Sequence, residues 1–304
     1  MKLRNVSYKK RFLFFKPTLT IASDEGEASI FYDQQPDLEE LNNLIRDFSI
    51  TIPEDFTTLT TTIQDKKLAR CLQLVAFNSL RRPFTFFHQQ PTSLPKPMHV
   101  LLKKPNGIEF LSLSLDATNF DKAALANEQL YEAAKNIKDL ASKTEEAILQ
   151  ELTTSLNNIS LHFDFTLRLG INFAGQVPTQ ETEHLIQTHN LLYAEQPCQT
   201  PEDYKQLTEK FKQTTFICSP SPASPSNAAL LSFTTIQDLA TTCSKLKEQK
   251  INIFYELAKG EEHLAVSLGI PIVKIQPEQQ ATVRALSKIK TLLKETMQSR
   301  ENNL

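Results

Sequence analysis

The sequence predicts an α/β protein in which a small N-terminal α+β capping domain precedes a (β/α)8-type barrel. Three observations favour this fold: strand and helix patterns alternate along the second part of the chain, a stretch at 82–98 contains four prolines, and the first 95 residues lack the alternation. Alternation of this kind is typical of a parallel sheet, and about eight units in about 200 residues indicate a barrel. A doubly wound sheet is the alternative. The predicted domains are 1–95 and 96–304, the second including a C-terminal helix.

In the first domain, residues 6–15 and 28–32 have the β-branched and aromatic residues of strands, close to period two. Residues 37–48 and 65–80 show helical spacing of their apolar residues instead. Two strands and two helices are too few for a barrel, so this part is predicted to be a small separate unit.

In the second domain, each predicted element follows from a local signal. Strands 99–103 and 110–115 are joined by the turn sequence Pro105-Asn106-Gly107, and a long helical stretch at 121–152 follows, with a break near Ser142. Further strands are predicted at 165–171, 191–195, 216–218, 229–233, 251–257 and 272–275. Further helices are predicted at 179–190, from Thr200 onward, and at 236–249, 261–268 and 281–297.

Composition excludes several classes of protein. The net charge is −2, and no basic stripe or acidic tail is present. Nucleic acids and anionic membranes both require a concentrated positive face, so neither is expected as a partner. The four cysteines are widely spaced, which predicts reduced thiols and a cytoplasmic location. A small-molecule ligand fits this composition, and the oligomeric state stays open.

Three stretches resemble the enolase superfamily, and within it the o-succinylbenzoate synthase family. Residues 167–172 (LRLGIN) are similar to the LRLDAN motif of the third barrel strand. Residues 193–198 (YAEQPC) are similar to the LEEPC motif of the fourth strand, and 231–269 follows the sixth and seventh units in order and spacing. The small N-terminal α+β unit is also similar to the capping domain of that family. The alternative is that the three stretches share only the general sequence pattern of barrel proteins.

The resemblance implies a lyase that dehydrates a cyclohexadiene carboxylate in menaquinone biosynthesis. Members hold Mg²⁺ with carboxylates at the ends of the third, fourth and fifth strands, because a hard divalent cation needs several oxygen ligands. Lysines on the second and sixth strands serve as base or as electrostatic support beside the intermediate.

Carried over residue by residue, this pattern is incomplete. Glu195 matches the fourth-strand ligand, whereas Gly170 and Ser219 replace the other two. The expected lysines fall on Ser232 and on Ser112 and Ser114. Mg²⁺ is therefore expected for the family, but the ligand set of this chain cannot hold it with one carboxylate.

The candidates for a rebuilt site are Glu195, Asp116, Glu256 and Lys274. Asn172 and Glu256 are predicted to line a substrate pocket, Asp116 is a possible surrogate ligand, and Lys274 is a possible replacement charge, although a surface lysine is the simpler interpretation. Two hypotheses follow. Either the chain is a lyase with a rebuilt site, or it is a pseudoenzyme retained as a binding or scaffold protein.

Overall fold

The computed structural model describes residues 1–9, 17–46, 48–80, 87, 94–114, 120–219, 225–276, 286 and 289. Its N-terminal part contains the strands β1 (Leu3–Lys9), β2 (Thr18–Ser23) and β3 (Glu27–Phe31) and the helices α1 (Leu38–Ile45), α2 (Pro53–Thr60) and α3 (Lys66–Asn78). The strands form an antiparallel sheet in the order β1-β2-β3. This is the small α+β unit that was expected, enlarged by β2 and α2, which the sequence pattern did not predict.

The helices of this part begin where their sequence provides a cap. Asp37 accepts a hydrogen bond from the Glu40 amide at the start of α1, and Asp65 accepts from the Lys67 and Leu68 amides at the start of α3. A side-chain acceptor at this position pairs amide groups that have no partner inside the helix. The orientation of α3 is important below, because one face of this helix contacts the barrel.

The second part is a closed barrel of eight strands. The strands are β4 (Lys96–Lys103), β5 (Glu109–Leu113), β6 (Arg168–Asn172), β7 (Tyr193–Glu195), β8 (Phe216–Ser219), β9 (Ala228–Leu231), β10 (Asn252–Glu256) and β11 (Ile272–Ile275). The helices are α4 (Phe120–Ala134), α5 (Glu145–Ser160), α6 (Thr179–Thr188), α7 (Pro201–Phe211), α8 (Ile236–Glu248) and α9 (Glu262–Ser267). The strand order around the barrel is β10-β11-β4-β5-β6-β7-β8-β9, which confirms the predicted cap and barrel architecture.

One strand runs against the direction predicted for it. β5 pairs antiparallel with both β4 and β6, whereas the other neighbouring strands of the barrel are parallel. The cause is the length of the β4–β5 connection: the turn at Asn106-Gly107 is closed by the Lys104 amide, which donates to the Ile108 carbonyl at 2.8 Å. Parallel strands need a crossover of a dozen or more residues, so this short turn can only form a hairpin.

Two connections also agree with sequence expectations. The long helical stretch at 121–152 is divided into α4 and α5, and Thr144 caps α5 by accepting from the Ala147 amide. Between β8 and β9 the described residues contain no helix, and none was predicted between the strands at 216–218 and 229–233. The predicted strand residues 10–15 and nearly all of the predicted helix 281–297 lie outside the described residues. In the described part of the chain, no helix has the length and apolarity that crossing a membrane requires.

The N-terminal unit is attached to the barrel by apolar and polar contacts. A single hydrophobic cluster runs from the cap into the outer side of β9, β10 and β11 and the helices α8 and α9. Arg70 on α3 pairs with Glu261 at 3.0 Å, and the Asn78 amide donates to the Gly260 carbonyl at 2.7 Å. Burial of a shared apolar core is the main stabilising term, and the polar contacts define how α3 is seated.

Candidate functional site

The mouth of the barrel collects polar side chains from strands that are neighbours in the sheet. Glu109 pairs in register with Asn172, and Asn172 pairs with Glu195. Glu109 begins its strand while the other two end theirs, so only the reversed direction of β5 brings the three together. Side chains alternate across a strand, which places these residues on the same inward face as the barrel core residues Tyr193 and Leu111.

A lysine from the last strand occupies the centre of this group. The Lys274 Nζ lies 2.7 Å from Glu109 Oε2 and 2.9 Å from Glu195 Oε2. All three side chains are buried, with exposures of 2% for Lys274, 4% for Glu109 and 5% for Glu195. We refer to Glu109, Asn172, Glu195 and Lys274 as the mouth cluster. A buried charge is stable only when it is paired and hydrogen-bonded, and each charge of this cluster is.

Further hydrogen bonds complete the mouth cluster. The Tyr193 hydroxyl donates to Glu195 Oε2 at 2.9 Å, and the Asn172 amide lies 3.4 Å from Glu109 Oε2. Lys103 donates to the other oxygen of Glu109 at 3.1 Å from the solvent side. Lys274 is thus shared by both carboxylates of the cluster, and Glu109 has Lys103 as a second cationic partner.

The protonation state of the cluster follows from its contacts. Burial opposes the charged form of Lys274, but the attraction of Glu195 and Glu109 outweighs it and raises the pKa of the ammonium group. Burial raises the pKa of Glu195 despite its bond to Lys274. For Glu109, burial acts in the same direction, yet Lys274, Lys103 and Asn172 together lower its pKa. Lys274 therefore stays protonated and is unsuited to act as a general base at neutral pH.

The residues of the mouth do not fit a resident Mg²⁺. Mg²⁺ requires near-octahedral oxygen ligands at 2.0–2.1 Å, whereas the two carboxylates present here already bond to an ammonium group. In the described part of the chain, no group of three or more His, Cys, Asp or Glu residues is placed to hold a metal ion. The mouth cluster is closed by Lys274 instead of being open to a cation.

The predicted ligand positions occupy different environments. Glu195 lies at the mouth as expected, and Gly170 lies on β6 beside Tyr193 of β7. A Cβ added at Gly170 would be 2.9 Å from the Tyr193 Cβ, so an aspartate does not fit this position. Ser219 is buried at the end of β8, near Tyr204 of α7, while Ser232 is exposed just after β9.

The placement of Ser112 and Ser114 at lysine positions of the mouth is corrected by the direction of β5. The Ser112 hydroxyl contacts Asn127 of α4, which places it on the outer face of the barrel. Ser114 follows the end of β5 that is opposite to Glu109, and it is buried. A reversed strand exchanges its two ends, so the residues after β5 are at the far side of the barrel from the mouth.

Of the remaining candidates, Glu256 lies beside Lys274 in register and accepts a hydrogen bond from Gln276 at 3.1 Å. Asp116 lies outside the described residues. The interpretation of Lys274 as a surface lysine is wrong, because the barrel interior surrounds it.

The sequence patterns did not indicate Glu109 as a site residue. Lys274 and Glu109 share one feature that is visible in the sequence: each is a charged residue in a short apolar strand. Because Lys and Glu are rarely buried without a partner, such a position indicates a paired charge.

A cleft of about 660 Å³ lies at a distance from this cluster, between the N-terminal unit and the barrel. Its walls come from α2, from α3 and from the segment Phe233–Thr235 before α8. No member of the mouth cluster is among its described lining residues. The molecule thus has a closed polar mouth and a separate open cleft.

Comparison with solved structures identifies proteins of the same architecture. An enolase from alpha proteobacterium bal199 with bound Mg matches with a TM-score of 0.53 and 12% identity, over 90% of this chain and 88% of that chain. The L-talarate/galactarate dehydratase from Salmonella typhimurium LT2, liganded with Mg and L-lyxarohydroxamate, matches with a TM-score of 0.51 and 12% identity, over 85% and 73%. A mandelate racemase/muconate lactonizing enzyme-like protein from Rubrobacter xylanophilus matches with a TM-score of 0.50 and 9% identity, over 91% and 88%.

These matches show the fold alone, a small N-terminal unit followed by an eight-stranded barrel, which is the fold that the sequence predicted. No family model and no curated protein matches the sequence. At sequence identities of 9–12%, these matches are evidence for a shared architecture and give no evidence about activity.

Proposed function

We propose that this protein is a non-catalytic relative of the o-succinylbenzoate synthase family, a barrel that no longer carries out metal-dependent dehydration. The observation that carries the proposal is the bonding of Lys274 to both buried carboxylates of the mouth. In the family mechanism a divalent cation stabilises the enolate, and a lysine removes the proton. In this chain the two carboxylates are already neutralised, and the one buried lysine of the mouth cluster is held in its charged form.

The chemistry of the remaining mouth residues supports the same conclusion. Tyr193 donates to Glu195, and burial raises the pKa of its phenol, so it is no base at neutral pH. Asn172 carries no ionisable group, and its side-chain oxygen accepts from the Ala174 amide at 2.9 Å. Among the described residues, Glu109, Asn172, Tyr193, Glu195 and Lys274 are each bonded to a neighbouring group, which favours the role of a binding or scaffold protein.

We expect the wild-type protein to bind neither Mg²⁺ nor Mn²⁺ up to about 1 mM, the weak limit of protein cation sites. Isothermal titration calorimetry with each cation measures this, with the Mg-bound bacterial enolase as the positive control. In parallel, the protein is incubated with the cyclohexadiene carboxylate substrate and Mn²⁺, and o-succinylbenzoate is followed by its absorbance. No turnover above the uncatalysed rate is expected.

Either of two results contradicts the proposal. Saturable metal binding accompanied by product formation identifies a working lyase with a rebuilt site. Product formation without metal binding identifies a lyase that uses Lys274 as its only cation, in which case the variant Lys274→Met loses the activity.

A further inference from the structure

The cleft between the N-terminal unit and the barrel has the size and position of a ligand site. Its volume of about 660 Å³ falls within the range of roughly 300–1,000 Å³ typical of small-molecule sites, which are frequent at domain interfaces. The described residues that line it are Thr57, Thr60, Thr61, Ile63, Lys66, Lys67, Ala69, Arg70, Gln73, Phe233, Thr234 and Thr235.

The charged lining residues share one sign. Lys66, Lys67 and Arg70 are all cationic, and no acidic side chain is among the described lining residues. Lys67 pairs with Asp33 and Arg70 with Glu261, in each case with a partner that does not line the cleft. For Lys66 the described residues provide no ion pair, and its side chain is exposed. A cleft walled by one sign of charge attracts ligands of the opposite sign.

Polar side chains form the floor of the cleft, and one buried hydroxyl group of its wall has no hydrogen-bond partner in the described part of the chain. The Gln73 amide donates to the Thr60 hydroxyl at 2.8 Å, and its oxygen accepts from the Ile236 amide at the start of α8, at 3.1 Å. These bonds tie α2, α3 and α8 together, so the cleft is formed without a ligand. The Thr57 hydroxyl, by contrast, is buried and has no hydrogen-bond partner within the described part of the chain. A buried hydroxyl without a partner costs about 1–3 kcal/mol, which a ligand oxygen would remove.

The remaining walls are apolar. Ile63, Ala69 and Phe233 contribute carbon surface, and the Arg70 guanidinium lies 4.9 Å from the centre of the Phe233 ring. An inorganic anion would leave this surface uncovered, whereas an organic anion would cover it.

We propose that this cleft binds a small organic carboxylate with an apolar body. The carboxylate accepts hydrogen bonds from Lys66 and from the Thr57 hydroxyl, and the apolar body contacts Ile63 and Phe233. This goes beyond the role proposed for the mouth, because it assigns a ligand class to a different part of the molecule. It also does not depend on whether the mouth is catalytically active.

Binding can be tested on the full chain by ¹⁹F NMR with 4-fluorobenzoate as the probe and neutral 4-fluorobenzamide as the matched ligand. We expect saturable binding of the benzoate and at least about tenfold weaker binding of the amide, since charge-assisted hydrogen bonds contribute about 1.5–3 kcal/mol. No saturable binding of the benzoate, or equal affinity for both probes, overturns the proposal.

Two variants locate the site. Lys66→Gln and Thr57→Val are each expected to weaken benzoate binding by about tenfold, corresponding to about 1.4 kcal/mol. The control is Lys205→Gln, an exposed lysine on α7 that does not line the cleft. Its affinity is expected to equal that of the wild type. If all three variants bind equally well, the probe occupies another place and the proposal fails, whatever the outcome of the metal and turnover measurements.

Discussion

Replacement of Lys274 by alanine is expected to lower the free energy of unfolding by about 3–5 kcal/mol, because it leaves two buried carboxylates without their shared cation. The corresponding fall in melting temperature is roughly 6–15 °C for a chain of this size. The same change opens the space between Glu109 Oε2 and Glu195 Oε2. We therefore expect Mn²⁺ or Mg²⁺ to recover part of the lost stability of Lys274→Ala, although neither cation stabilises the wild type.

The measurement is thermal unfolding by circular dichroism, with and without about 1 mM Mn²⁺. A matched control is the triple variant Lys274→Met, Glu109→Gln, Glu195→Gln, which removes all three charges. Replacing a group of buried charges by neutral residues of similar size is often neutral or stabilising. The melting temperature of this variant is therefore expected to be close to that of the wild type and to be unchanged by Mn²⁺. If Lys274→Ala is unfolded without metal, refolding on addition of Mn²⁺ gives the same information.

A Lys274→Ala protein as stable as the wild type would contradict the assigned role of Lys274 as the cation of the mouth. A destabilised variant that does not respond to Mn²⁺, while the triple variant folds normally, would show that the two carboxylates alone are too few to hold a cation. That second result would leave the non-catalytic assignment in place, because it concerns only the latent cation site.

Replacement of Gly170 by aspartate, the residue of the third-strand motif that 167–172 resembles, is expected to destabilise the protein by more than about 3 kcal/mol. An added Cβ would lie 2.9 Å from the Cβ and 3.1 Å from the carbonyl oxygen of Tyr193, and neither atom can move away by rotation of a side chain. Overpacking of this kind costs about 1–3 kcal/mol, and the new carboxylate adds a further charge beside Glu109 and Glu195. The measurement is urea unfolding, read as a lower midpoint at unchanged slope.

Two comparisons separate the steric effect from the charge. Gly170→Ala carries only the steric part and is expected to lose about 1–3 kcal/mol. Ser232→Asp adds the same carboxylate at an exposed position and is expected to change stability by less than about 0.5 kcal/mol. A Gly170→Asp protein of wild-type stability would mean that β6 and β7 can separate enough to accommodate a carboxylate at this position, and would contradict the steric argument.

Several features were readable from the sequence because they depend on local patterns. Apolar spacing and caps predicted the alternation of strands and helices and the division of 121–152 into two helices. They also predicted no helix between the strands at 216–218 and 229–233, and the described residues there contain none. Glu195 was identified as a mouth residue through its motif, and the structure places it there, buried among partners. The role of Glu195 as a metal ligand stays a prediction that rests on the resemblance, and the proposed non-catalytic function does not require it.

The identity of the groups that meet at the mouth could be read only from the three-dimensional arrangement of the strands. Local sequence patterns were sufficient to predict the barrel and the order of its elements. The motif comparison did not take into account that the short turn reverses β5, so it did not place Glu109 at the mouth and Ser114 at the opposite end. Nor did it determine that barrel closure sets β11 two strands away from β5, with Lys274 facing inward. The physical reason is that local patterns specify each strand, while the pairing of charges distant in sequence depends on strand direction and closure.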